Sequence, residues 1–97
     1  MKIDVGSDQL KQVKDILNQF VPNYEVRVFG SRIRGTAKKY SDLDLVIMSQ
    51  KPIPIQKMAL LKEAFSESNL PFKVDLVDWS LISDEFKKVI EQGNVVI

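Results

Sequence analysis

Residues 29–47 read "FGSRIRGTAKKYSDLDLVI". The residues just before them, from Tyr24, alternate apolar and polar as a strand does, and Gly30 breaks that strand. Ser31 then opens a turn or short helix over 31–37, and Gly35 releases the chain after one turn. Residues 43–49, "LDLVIMS", are apolar enough for a second, buried strand. The basic side chains Arg27, Arg32, Arg34, Lys38 and Lys39 crowd the approach to it, with no acid between Glu25 and Asp42. Asp42 and Asp44 follow. Two apart on a strand, they point the same way, with alpha-carbons about 6.5–7 Å apart.

Outward from this stretch the elements are regular. A helix is expected over 8–20, with Leu10, Val13, Ile16, Leu17 and Phe20 on one face, Ser7 as its cap and Pro22 after its end. Prolines 52 and 54 precede a helix over 55–67 whose inner face would hold Ile55, Met58, Leu61 and Phe65. Residues 71–79, "PFKVDLVDW", predict a third strand with Phe72, Val74 and Leu76 on one face. Ser83 caps a last helix to about 91, Gly93 ends it, and "VVI" adds a short edge strand. Helices and strands in this order predict an α/β (α+β) fold, a mixed β-sheet with flanking helices. The connection of about a dozen residues between the first two strands is long for a hairpin, and it carries the opening motif.

Ninety-seven residues predict one small domain, 1–97. With no cysteine and no histidine, the chain has no Cys/His zinc site, no cysteine nucleophile, no Ser-His-Asp triad and no disulfide. Acid–base work falls to carboxylates, lysine or tyrosine. A net charge of +1 argues against a general nucleic-acid binder, so no direct nucleic-acid contact is expected. The first residues lack an apolar signal region, and no run approaches the length of a membrane span. A cytoplasmic protein is the expectation.

The chemistry follows from the residue types. Asp42 and Asp44 can reach one divalent cation or bridge two. Asp75, mid-way along the third expected strand, would join them if that strand neighbours the second; Asp78 is a rival of equal chemistry. Carboxylates gathered in this way repel one another unless a cation sits among them. Oxygen donors favour magnesium or manganese over zinc. Gly30 lets the backbone approach a ligand, and the amides after it, with the Ser31 hydroxyl, suit phosphate oxygens. Arg32 and Arg34 stand close enough to this turn to face phosphate, whereas Lys38 and Lys39 read as solvated loop charges. Each piece alone has an ordinary explanation: a capped turn, a solvated strand end, an exposed basic loop.

Together they resemble the nucleotidyltransferase superfamily that includes DNA polymerase beta. Gly30-Ser31 is followed, eleven residues after the serine, by Asp42-x-Asp44, and a third acid lies between Val74 and Leu76. The chain is most similar to the minimal nucleotidyltransferases, and the similarity extends more loosely through "LKEAFSESNLPFKVDLVDW" (61–79). The resemblance implies a polymerase-beta palm-like fold and transfer of a nucleoside monophosphate, AMP from ATP above all, to an acceptor hydroxyl. It implies that Gly30 and Ser31, with Arg32 and Arg34, hold the nucleotide. It implies that Asp42, Asp44 and Asp75 are catalytic and hold two magnesium ions (or manganese). It also implies a small helical-bundle partner of the HEPN class or a substrate-binding subunit, with the chain as possible antitoxin of a toxin–antitoxin pair. Ile33 departs from the small residue common at that position. A competing reading is an inhibitor that neutralises its partner by contact, with a vestigial nucleotide site. The hydrophobic segment ending in Trp79 and Leu81 reads either as core or as docking surface.

Overall fold

The computed structural model describes residues 2–97. Helix α1 (Ser7–Phe20) buries Val13 and Leu17 on its apolar stripe. It begins at the expected place with a different cap: the Gly6 amide donates to Gln9 Oε1 at 3.1 Å, and Ser7 is the first helical residue. Strand β1 (Glu25–Phe29) leads through Gly30 into the single turn α2 (Ser31–Arg34). Strand β2 (Leu43–Met48), helix α3 (Ile55–Ser66) and strand β3 (Val74–Asp78) follow. A 3-10 turn over Trp79–Leu81, helix α4 (Asp84–Glu91) and strand β4 (Asn94–Val96) complete the chain. Ser83 caps α4 as expected, its Oγ accepting from the Phe86 amide at 3.1 Å.

The four strands form one mixed sheet in the order β3-β2-β1-β4. β1 runs antiparallel to both β2 and β4, while β2 and β3 are parallel. A parallel pair needs a crossover, and α3 supplies it. One sheet face packs on α1 and α3, burying Val28, Leu43, Leu45 and Ile47 with Leu17, Leu61 and Phe65. The other face carries Phe29 and Val46 against Ile90 of α4, with Phe86 and Trp79 beside them. Strand alternation therefore puts Asp44, two before Val46, on the α4 face.

Three expectations are corrected. β3 is shorter than residues 71–79, because Phe72 and its neighbours form a bend that leads into the strand. Ile55 is 87% exposed at the first position of α3, so the inner face of that helix rests on Leu61 and Phe65. The Trp79–Leu81 segment divides: Trp79 packs against the α4 cluster, and Leu81 is exposed. Among the described residues no helix is long and apolar enough to cross a membrane.

Candidate active site

The turn after β1 is built on Gly30, which has φ 82° and ψ −153°. A side chain rarely adopts that conformation, and here a Cβ would also strike Asp44 Oδ2. The Gly30 carbonyl accepts from the amides of both Ile33 and Arg34 at 3.1 Å, closing α2. Gly35 ends it in the left-handed region at φ 77°, where nothing crowds it. Ser31 thus stands at the head of a tight turn whose backbone comes up against the second aspartate of the Asp-x-Asp pair.

The register of the sheet brings the acids together. Asp44 lies opposite Phe29 on one side and beside Asp75 on the other. Neighbouring strands are about 4.8 Å apart, so Asp44 and Asp75 project side by side from the same face. Asp42 is exposed just ahead of β2. Burial pushes the Asp44 carboxyl above its ordinary range, the negative charges of Asp75 and Asp42 push it further, and the Arg34 guanidinium opposes them. Asp78 is elsewhere. Its carboxylate is buried and accepts from the Ile53 amide at 2.8 Å, the Ser80 amide at 2.9 Å and the Ser80 hydroxyl at 2.7 Å, and also from the Ser49 hydroxyl. Burial works against that charge, but these hydrogen bonds outweigh it and hold Asp78 below the ordinary carboxylate range.

Among the described residues no three acidic side chains are gathered tightly enough to hold one ion. The donor set nonetheless suits a hard divalent cation, being carboxylate oxygen throughout. The mutual repulsion that raises Asp44 is the kind of strain that a bound cation removes. A cleft of about 390 Å³ opens beside Asp44, lined by Gly30 and Arg34 from the turn, by Phe86 and Val89 of α4 and by Gln92 just after that helix.

Residues 10–97 match the model of a family described as a nucleotidyltransferase domain. A Haemophilus influenzae protein named "Probable protein adenylyltransferase MntA" is 52% identical over 96 residues, spanning 99% of this chain and 84% of that relative. The chain belongs to the nucleotidyltransferase family. Among solved structures, a toxin–antitoxin with AMP-PNP matches at TM-score 0.74 and 22% identity, over 89% of this chain and 69% of that one. A spectinomycin adenyltransferase from Enterococcus, solved with ATP and spectinomycin, matches at TM-score 0.59 and 21% identity, over 95% of this chain and 48% of that one. At those identities the likeness establishes the fold.

In this nucleotidyltransferase the structure brings Gly30, Arg34, Asp44 and Asp75 together, with Asp42 beside them, and Ser31 follows Gly30 at the head of the turn. It does not bring Arg32 there, and that expectation is corrected. Arg32 is buried, and its guanidinium donates to the carbonyls of Asp4, Lys39 and Ser41. A turn of α-helix advances about 100° per residue, so the side chain after Ser31 is carried inward. Ile33, the departure from the small residue, fills core space. Sequence reasoning missed Phe86 of α4 and Gln92 just after it. Periodicity gives that helix its apolar stripe but does not say which sheet face receives it.

Proposed function

We propose that this nucleotidyltransferase transfers AMP from ATP to a hydroxyl of a partner protein, and that Asp44 and Asp75, with Asp42 beside them, would hold a divalent cation together with the bound triphosphate. The observation that carries the site is the register of Asp44 beside Asp75, on the face where the Gly30-Ser31 turn arrives. The acceptor class is supported by the relative named as a protein adenylyltransferase.

In this reading the amides and hydroxyl at Ser31 bind the triphosphate tail, which Gly30 lets approach the backbone. Arg34 balances its charge, and the cleft against α4 receives the nucleoside. A bound magnesium or manganese ion supplies charge neutralisation for the phosphates and the departing pyrophosphate. Asp75, on the outer strand, takes the proton of the acceptor hydroxyl. The acceptor oxygen bonds to the α-phosphorus as the bond to pyrophosphate breaks, leaving an AMP ester and free pyrophosphate. Much of the rate in such a transfer comes from positioning. The acceptor hydroxyl comes from the partner, the acceptor class that the name of the Haemophilus relative supports. A small helical protein is the expected kind, and pairing as antitoxin with a toxin is the expected setting.

The test uses ATP labelled on its α-phosphate, the purified chain, and whatever protein co-purifies with it. Label on the co-purifying protein, lost in Asp75→Asn, supports the reading. Stable binding without label, unchanged by Asp75→Asn, favours an inhibitor that acts by contact.

A further inference from the structure

We propose that Arg32 is a positioning residue that sets the Asp42 segment against the Ser31 turn and the β3 lead-in. The inference rests on the reading of Asp42 and Asp75 given above, and it concerns a residue that touches neither nucleotide nor acceptor.

Arg32 Nε and Nη2 both donate to the Ser41 carbonyl, at 3.1 and 2.8 Å, and Nη2 also reaches the Lys39 carbonyl at 3.2 Å. Nη1 donates to the Asp4 carbonyl at 2.7 Å, and the Asp4 amide returns a bond to the Arg32 carbonyl at 2.8 Å. The guanidinium lies 4.3 Å from the centre of the Phe72 ring, three residues before Asp75. One side chain thus joins α2, the segment that ends at Asp42, the N-terminal strap and the approach to β3.

Among the described residues no carboxylate lies within ion-pair distance of this buried cation. Burying a charge without a counter-ion is costly, and an apolar side chain would fill the space more cheaply. What a planar fork does, and an apolar residue cannot, is hold two carbonyls flanking one residue while sitting over an aromatic ring. The segment needs that grip. Its own hydrogen bonds are internal: the Lys38 amide to Ser41 Oγ at 2.8 Å and the Ser41 amide to the Lys38 carbonyl at 3.1 Å. Among the described residues, the hydrogen bonds from residues 38–41 to the rest of the protein all come from Arg32. Asp42 follows Ser41 directly, so where Arg32 fixes the Ser41 carbonyl it also fixes the start of the Asp-x-Asp pair.

The test compares Arg32→Lys with the parent and with Leu17→Ala, a core variant on α1, remote from the loop. In nucleotide-free protein well below melting, trypsin should cut at Lys38 and Lys39 faster in Arg32→Lys and not in Leu17→Ala. In pyrophosphate release from ATP with the co-purifying protein present as acceptor, kcat should fall about a hundredfold in Arg32→Lys, the loss that misplacing a reacting group by an ångström can cause. KM for ATP should stay near the parent's, and Leu17→Ala should keep the parent's kcat. Arg32→Gln replaces Arg32→Lys if the latter does not fold. Unchanged proteolysis of the loop, or a kcat loss no larger than that of Leu17→Ala, overturns the proposal. A loosened loop together with full turnover in Asp42→Asn overturns the reading of the site instead.

Discussion

Gly30 and Asp44 are interlocked. The Asp44 carboxylate occupies the space that a Cβ on residue 30 would need, with Asp44 Cγ 3.1 Å and Cβ 3.4 Å from that point. Gly30 also holds φ 82°, so any other residue there is strained before it meets its neighbour. Gly30→Ala is therefore expected to cost roughly 1–3 kcal/mol from the backbone alone, plus the displacement of Asp44. Adding Asp44→Ala should return the second part, leaving a coupling of about 1 kcal/mol in a thermal-unfolding cycle. Gly35→Ala shares the positive φ but meets open space, so it should show no coupling to Asp44. Strict additivity of Gly30→Ala and Asp44→Ala would contradict the interlock.

Asp44 should make the protein less stable at neutral pH than its amide analogue. Its folded pKa is raised, chiefly by burial and then by Asp75 and Asp42. Between the ordinary aspartate value and that raised value the unfolded chain gives up its proton first, so stability falls as pH rises through this window. Asp44→Asn removes the loss. Its melting temperature should exceed the parent's at pH 7 without divalent cation, and the gain should shrink as pH falls to the ordinary aspartate range. Magnesium should stabilise the parent more than the variant. A melting temperature for Asp44→Asn below the parent's at pH 7 and equal to it in acid would reverse the sign.

Asp75 and Asp78 separate function from folding within one strand. Asp75 is exposed beside Asp44, whereas Asp78 is buried under four hydrogen bonds that tie the 3-10 turn and Ile53 to β3. Asp75→Asn is expected to abolish transfer with a melting temperature near the parent's. Asp78→Ala should cost roughly 2–4 kcal/mol, since it leaves buried donors without an acceptor. Its turnover below melting should survive. Because the Asp78 pKa is lowered in the fold, its stabilisation is present above the ordinary aspartate range and is lost as pH falls through the lowered value. Acid unfolding of Asp78→Ala should accordingly be shallower than the parent's.

The sequence makes the sheet legible where the two-residue period and the apolar content agree. "LDLVIMS" and "VDLVD" both read as strands, and the helix between them makes a parallel pair the natural outcome, which sets Asp75 next to Asp44. The direction of a side chain within a one-turn helix is not legible. Arg32 and Arg34 look alike as charges near a phosphate-type turn, yet two residues of helical rotation send one under Phe72 and leave the other exposed near Asp44. Nor does periodicity reveal where a helix's packing partner ends, and Ile55 is exposed for that reason. The cleft between Gly30 and Gln92 joins residues far apart in the chain, and only the closed sheet brings them together.

The nucleotide reading divides the basic residues, and binding measurements can follow that division. Ser31 heads the turn, and Arg34 lines the cleft that contains Asp44 and lowers its pKa by its charge. Lys38 is exposed on the loop, where its amide donates to Ser41 Oγ and its carbonyl accepts from the Ser41 amide. Ser31→Ala should weaken ATP binding by roughly 1.5–3 kcal/mol, one hydrogen bond to a charged group. Arg34→Gln should weaken it too, and should let the Asp44 pKa rise further, because the opposing positive charge is gone. Lys38→Ala should change affinity little, since a solvated charge near the surface is screened by salt. Titration calorimetry with ATP and magnesium at two ionic strengths distinguishes the cases: the Ser31→Ala loss should persist at high salt, while any Lys38→Ala loss should vanish. Equal losses from Ser31→Ala and Lys38→Ala at both salts would move the triphosphate away from the Gly30 turn and out onto the loop.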